Sequence, residues 1–112
     1  MKAMLLHQTD RLSVNPAPLT LEDIPTPVPE PGEILVKVTA CGVCHTELDE
    51  IEGRTPPPKL PIVLGHQAIG RVAAAGTQAA RFAIGDRIGV AWIYQACERC
   101  IFCRSGRIMS AL

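Results

Sequence analysis

The chain has 112 residues, enough for one domain with a modest core. Lys plus Arg total 11 and Asp plus Glu total 11, so the formal net charge is zero, and no basic stripe marks a nucleic-acid or membrane-surface binder. Apolar residues make up 47%, yet no uninterrupted apolar run is long enough to span a membrane, and Met1 to Asp10 lacks the features of a secretory signal.

Ten prolines and nine glycines cut the chain into short pieces. Residues 2–6 and 19–24 read as short strands. The run from Pro25 to Gly32 is a rigid extended connector, because its prolines supply no backbone donor, and it closes in a turn at Gly32. Residues 33–40 alternate best, with Ile34, Val36 and Val38 on one side and Lys37 and Thr39 on the other. Cys41 is expected to continue that alternation into the core. Thr46-Glu47-Leu48-Asp49 resembles a capping-box start and Gly53 a stop, which predicts one helix of about two turns. Residues 62–64 and 69–75 read as strands interrupted by a bend at Gly65-His66, and residues 83–91 as a turn and strand around Gly85-Asp86. From Ala96 onward no period is evident, as expected of a loop ordered by metal. Many short strands between turn signals predict a single small barrel or sandwich over residues 1–112.

A cytoplasmic location is the default expectation, and there five cysteines read as metal ligands or packing residues rather than disulfides. Cys97, Cys100 and Cys103 form a C-x2-C-x2-C run whose thiols can converge on one ion. Idle surface thiols and an iron–sulfur cluster are the alternatives; the cluster pattern continues to a fourth Cys followed by Pro, which this chain lacks. A second group of soft ligands comprises Cys44, within Cys41-Gly42-Val43-Cys44-His45-Thr46, and His66, between glycines at 65 and 70. Two ligand groups suggest two metal sites. Read literally, Cys41 to His45 is also the C-x-x-C-H of c-type haem attachment, or a redox C-x-x-C.

In this order and spacing, Pro31-Gly32-Glu33, the Cys41–Thr46 segment, Gly65-His66 with Gly70, Gly85-Asp86-Arg87 and the three cysteines resemble the N-terminal, GroES-like domain of the zinc-dependent medium-chain alcohol dehydrogenases. The resemblance covers essentially the whole chain. It implies a mainly β, partly open GroES-like barrel with one short helix and a metal-binding loop. Cys44 and His66 are then two of the three protein ligands of a catalytic zinc. Thr46 takes the alcohol proton, His45 lies near the cofactor pyrophosphate and passes the proton on, and Gln67 stands where the family usually has Glu beside the zinc-binding His. Cys97, Cys100 and Cys103 are three of four structural zinc ligands, with Gly106 the glycine before the fourth. The implied cofactors are zinc and NAD or NADP. The implied partners are a small alcohol or aldehyde substrate, a nucleotide-binding domain and a homo-oligomer, with no nucleic acid and no membrane.

Four departures shape the expectation. Position 111, where the fourth structural cysteine would fall, is Ala111; the third catalytic ligand is absent; no Gly-x-Gly fingerprint of a Rossmann domain occurs; and Gln67 removes a negative charge near the metal. The chain is therefore expected to be an incomplete dehydrogenase, inactive alone, with exposed apolar surface. A stand-alone GroES-like zinc-binding or oligomerisation module is the alternative.

Overall fold

A computed structural model describes residues 1–93 and 96–106. Seven elements follow in order: β1 (Lys2–Leu6), β2 (Leu19–Asp23), β3 (Ile34–Cys41), α1 (His45–Ile51), β4 (Ala68–Ala75), β5 (Arg87–Val90) and α2 (Ile101–Arg104). β1 pairs antiparallel with β2, Lys2 opposite Asp23 and Leu6 opposite Leu19. β3, β4 and β5 form a second antiparallel sheet in chain order. This is the mainly β, open architecture expected, with no helix among the described residues long and apolar enough to cross a membrane.

Residues 62–64 do not form the expected strand. Ile62 makes a single bridge to Leu6, through reciprocal backbone bonds of 2.8 and 3.0 Å. Pro61 on one side and Gly65, at φ +123°, on the other leave too short a run for a ladder. A second helix, α2, lies inside the cysteine loop where none was expected; its N-cap is Cys100, whose sulfur accepts from the Cys103 amide.

The apolar core is small. Leu5, Leu6, Ile51 and Val72 are its buried members among the described residues, and Leu6 is fully enclosed. β4 alternates cleanly, with Gly70 and Val72 buried and Ile69, Arg71 and Ala73 exposed, as a strand packed on one face must. A Cβ at Gly70 would lie 2.3 Å from the Lys37 carbonyl oxygen, so only glycine allows β3 and β4 this close.

The pairing of β3 with β4 is irregular between Leu35 and Val36 and again between Val38 and Ala40, where Thr39 is the extra residue. The second irregularity decides where Cys41 points. Val36, Val38 and Cys41 lie opposite Val72, Gly70 and Ala68, which all belong to the inner face of β4. The bulge thus returns Cys41 to the line of Val36 and Val38. That face is nevertheless not filled: Cys41 is exposed rather than buried as expected, and Val38 is 53% exposed. Both border an open cavity of about 760 Å³ with Leu35, Val36, Val63 and Ala68.

Candidate metal centres

The first cluster is assembled at the start of α1. Cys44, in extended conformation, is the N-cap; its sulfur accepts from the Thr46 amide at 3.4 Å, and the Glu47 carboxylate accepts from the Cys44 amide at 2.7 Å. This reciprocal capping box replaces the one expected at Thr46, two residues later, because a thiol and a carboxylate capture the free amides first. Thr46 is therefore inside the helix and is not its cap.

His66 arrives from the loop before β4. Its Nε2 lies 3.3 Å from Cys44 Sγ, and its Nδ1 lies 2.8 Å from Glu47 Oε1. Gly65 makes this approach possible: its φ of +123° suits glycine, and a Cβ there would stand 2.9 Å from Cys41 Sγ. Glu47 is 6% exposed and the only buried charged side chain among the described residues. Burial raises its carboxyl pKa, but hydrogen bonds from the Cys44 and Glu47 amides and the Cys44 side chain, with the nearby His66, outweigh that and hold it below the usual carboxylate range. Its Oε1 accepts no well-directed hydrogen bond among the described residues and has the His66 ring as its close neighbour.

This donor set fits zinc. A tetrahedral ion bound by one thiolate and one imidazole sets S and N about 3.5 Å apart, close to the 3.3 Å between Cys44 Sγ and His66 Nε2. A carboxylate on the remote nitrogen of a ligating His is the usual support for such a site. Cys44, Glu47 and His66 offer ligand atoms within 4.8 Å of one another. Glu47 is the site residue that sequence reasoning missed, having been read only as part of a cap; its place three residues after a candidate thiolate ligand was the available signal.

The second cluster is Cys97, Cys100 and Cys103, also within 4.8 Å of one another. Cys97 Sγ lies 3.7 Å from Cys103 Sγ, and Cys100 Sγ lies 3.4 Å from Cys103 Sγ. Tetrahedral zinc thiolates at about 2.3 Å set their sulfurs about 3.75 Å apart, so this triangle also fits. Glu98, at φ +58°, bends the loop around Cys97. Amides of Arg99 and Cys100, then the neighbouring thiols, lower the Cys97 pKa to about 7, while the Cys100 thiol pushes Cys103 up. The lowered value makes the Cys97 thiolate, the form a metal requires, more accessible near neutral pH than in an ordinary cysteine. Position 111 lies outside the described residues.

The other predicted residues lie around the first cluster. His45 is exposed, with Nε2 3.8 Å from Asp49 Oδ1. Thr46 is half-buried, and its hydroxyl has no partner among the described residues. Gln67 is exposed; its carbonyl accepts from the Gly42 amide at 2.8 Å, and its side-chain amide folds over Gly42, where a Cβ would meet Gln67 Oε1 at 2.7 Å. Cys41 Sγ sits beside Gly65, and all five cysteines are free thiols.

Known proteins share both the sequence and this fold. Residues 30–111 match the Alcohol dehydrogenase GroES-like domain, and the chain belongs to that family. It is 38% identical over 108 residues to an alcohol dehydrogenase of Geobacillus stearothermophilus, covering 96% of this chain and 30% of that protein. It is 44% identical over 90 residues to an alcohol dehydrogenase of Rhizobium meliloti, covering 80% and 26%. The crystal structure of AibC superposes with a TM-score of 0.84 at 36% identity, covering 96% of this chain and 28% of that one. An NAD-dependent alcohol dehydrogenase structure gives 0.78 at 30% identity, covering 97% and 31%. The chain thus spans less than a third of the length of these relatives.

Proposed function

We propose that this chain forms the metal- and substrate-binding part of a zinc-dependent alcohol dehydrogenase, which oxidises alcohols or reduces aldehydes with NAD or NADP. The observation that carries the reading is the convergence of Cys44 and His66 over the buried Glu47. A zinc ion held by Cys44 and His66 would supply Lewis-acid polarisation of the substrate oxygen. The negative charge of Glu47, 2.8 Å from His66 Nδ1, favours the ring proton on that nitrogen, which leaves the Nε2 lone pair for the metal. The Thr46 hydroxyl both donates and accepts, so it suits taking the substrate proton. His45, side by side with Thr46 and open to solvent, gives that proton an exit. Gln67 contributes a neutral amide beside His66 where a carboxylate would oppose the metal charge. Cys97, Cys100 and Cys103 hold a structural zinc that orders their loop. In this reading the nucleotide-binding domain, and any homo-oligomer that completes the substrate pocket, lie beyond these residues, and the 112-residue chain alone transfers no hydride.

Equilibrium dialysis against excess zinc under reducing conditions tests the assignment. About two zinc ions should bind per chain. Cys44→Ser should remove one and Cys97→Ser the other, each leaving its partner site filled. No zinc uptake, or a visible haem or iron–sulfur spectrum in the purified chain, would overturn the reading.

A further inference from the structure

One feature of the second sheet lies apart from both metal centres. Lys37 on β3 stands directly opposite Arg71 on β4, and Arg71 directly opposite Arg87 on β5. Three cations therefore cross three adjacent strands in one row, on the face away from Val72. All three are exposed, and among the described residues none pairs with a carboxylate. Arg71 donates one guanidinium bond to the Gly85 carbonyl at 2.8 Å, which fixes it over the turn before β5. Like charges opposed across strands destabilise a sheet. In a chain with no net charge this row is a local concentration rather than part of a general basic surface.

The geometry points to this face as the docking surface for an acidic helix of a protein partner. A sheet face, unlike its edges, presents side chains rather than backbone groups, so recognition on this face falls to the side chains. Adjacent strands put the three cations about 4.8 Å apart in steps. Acidic side chains at i, i+3 or i+4, and i+7 of a helix repeat at about 5–6 Å. Alternate side chains of an extended segment repeat at about 6.7 Å, so the helix matches better. A second copy presenting the same face would meet like charge with like charge. The neighbours on this face, Ile69, Ala73 and Gly89, include no aromatic ring, so a nucleic-acid strand finds nothing to stack on.

The test uses a synthetic helical peptide with Glu in one i, i+4, i+7 stripe, and an isomer of the same composition with Glu spread around the helix. Binding is followed by fluorescence anisotropy at low salt and again with added salt. The striped peptide should bind more tightly than the isomer and weaken as salt rises. Lys37→Thr and Arg87→Thr should each weaken it by about two- to fivefold, and the double variant by the product. Both variants should melt no lower than the parent, because the substitution relieves like-charge contact. Equal affinity for the two peptides, unchanged affinity in folded variants, or tighter binding of a single-stranded oligonucleotide would overturn the proposal.

Discussion

Glu47→Ala should weaken zinc binding at the Cys44–His66 pair by about 10–100-fold while leaving the three-cysteine lobe unchanged. The carboxylate acts at two points. It sits against His66 Nδ1 at 2.8 Å and accepts from the Cys44 amide at 2.7 Å, so it orients the ring of one candidate ligand and anchors the backbone of the other. Removing it frees the tautomer of His66 and leaves the Cys44 amide without its acceptor; an unsatisfied buried donor costs about 1–3 kcal/mol. Glu47→Gln keeps the size and can still accept from the amide, so it should lose metal affinity with a smaller loss of stability. The pH dependence has a definite sign. Because the carboxyl is held below its ordinary value of about 4.3, its contribution to stability is present above that pH and disappears as pH falls through the folded-state value. The acid limb of the stability curve should therefore be shallower in Glu47→Gln. Competition with a chromophoric chelator and acid unfolding followed by circular dichroism measure the two effects; equal zinc affinity in Glu47→Ala and parent would remove Glu47 from the site.

Leu6→Ala is expected to produce the largest loss of stability, about 2–5 kcal/mol. Leu6 is 0% exposed and is joined on both sides, to Leu19 in β2 and to Ile62 in the bridge. Its removal opens a void in a core that has few other buried apolar members among the described residues, Leu5, Ile51 and Val72. A domain of this size has a total stability of about 5–15 kcal/mol, so the variant should lose much of its cooperative transition in denaturant. The backbone bond from Asp10 to the Ile51 carbonyl, 2.9 Å, ties the same region to the end of α1, so the damage should reach the Cys44 cluster. By contrast Val38→Ala, at a side chain 53% exposed, should shift the midpoint little. A Leu6→Ala midpoint close to that of the parent would place the core elsewhere.

Much of the fold is legible in the sequence. Residues 2–6, 19–24, 33–40 and 69–75 announce their strands by alternation and flanking turn residues, and the helix after Cys44 is legible from the capping-box pattern of Thr46 to Asp49 and the stop at Gly53. Its starting residue is not, because cysteine lies outside the usual capping set and Thr46 offers a more familiar signal. The inward turn of Cys41 depends on a bulge at Thr39, and a bulge is a pairing between two strands that neither strand displays alone. α2 spans only Ile101–Arg104, too short for periodicity to register, and is set by the cysteine spacing. In the site, Cys44, His66 and the three cysteines are legible as candidate metal ligands from residue type and spacing. The role of Glu47 is carried by burial and by its approach to a ring from a distant loop, which only the folded chain shows.

Cys44 and His66 are assigned here to one metal ion. Cobalt(II) added to the Cys97→Ser variant tests that assignment directly, since that variant leaves the first cluster as the remaining one. A thiolate-to-cobalt absorption with tetrahedral visible bands is expected, lost in both Cys97→Ser/Cys44→Ser and Cys97→Ser/His66→Gln. No thiolate-to-cobalt absorption, or a spectrum indifferent to His66→Gln, would contradict it.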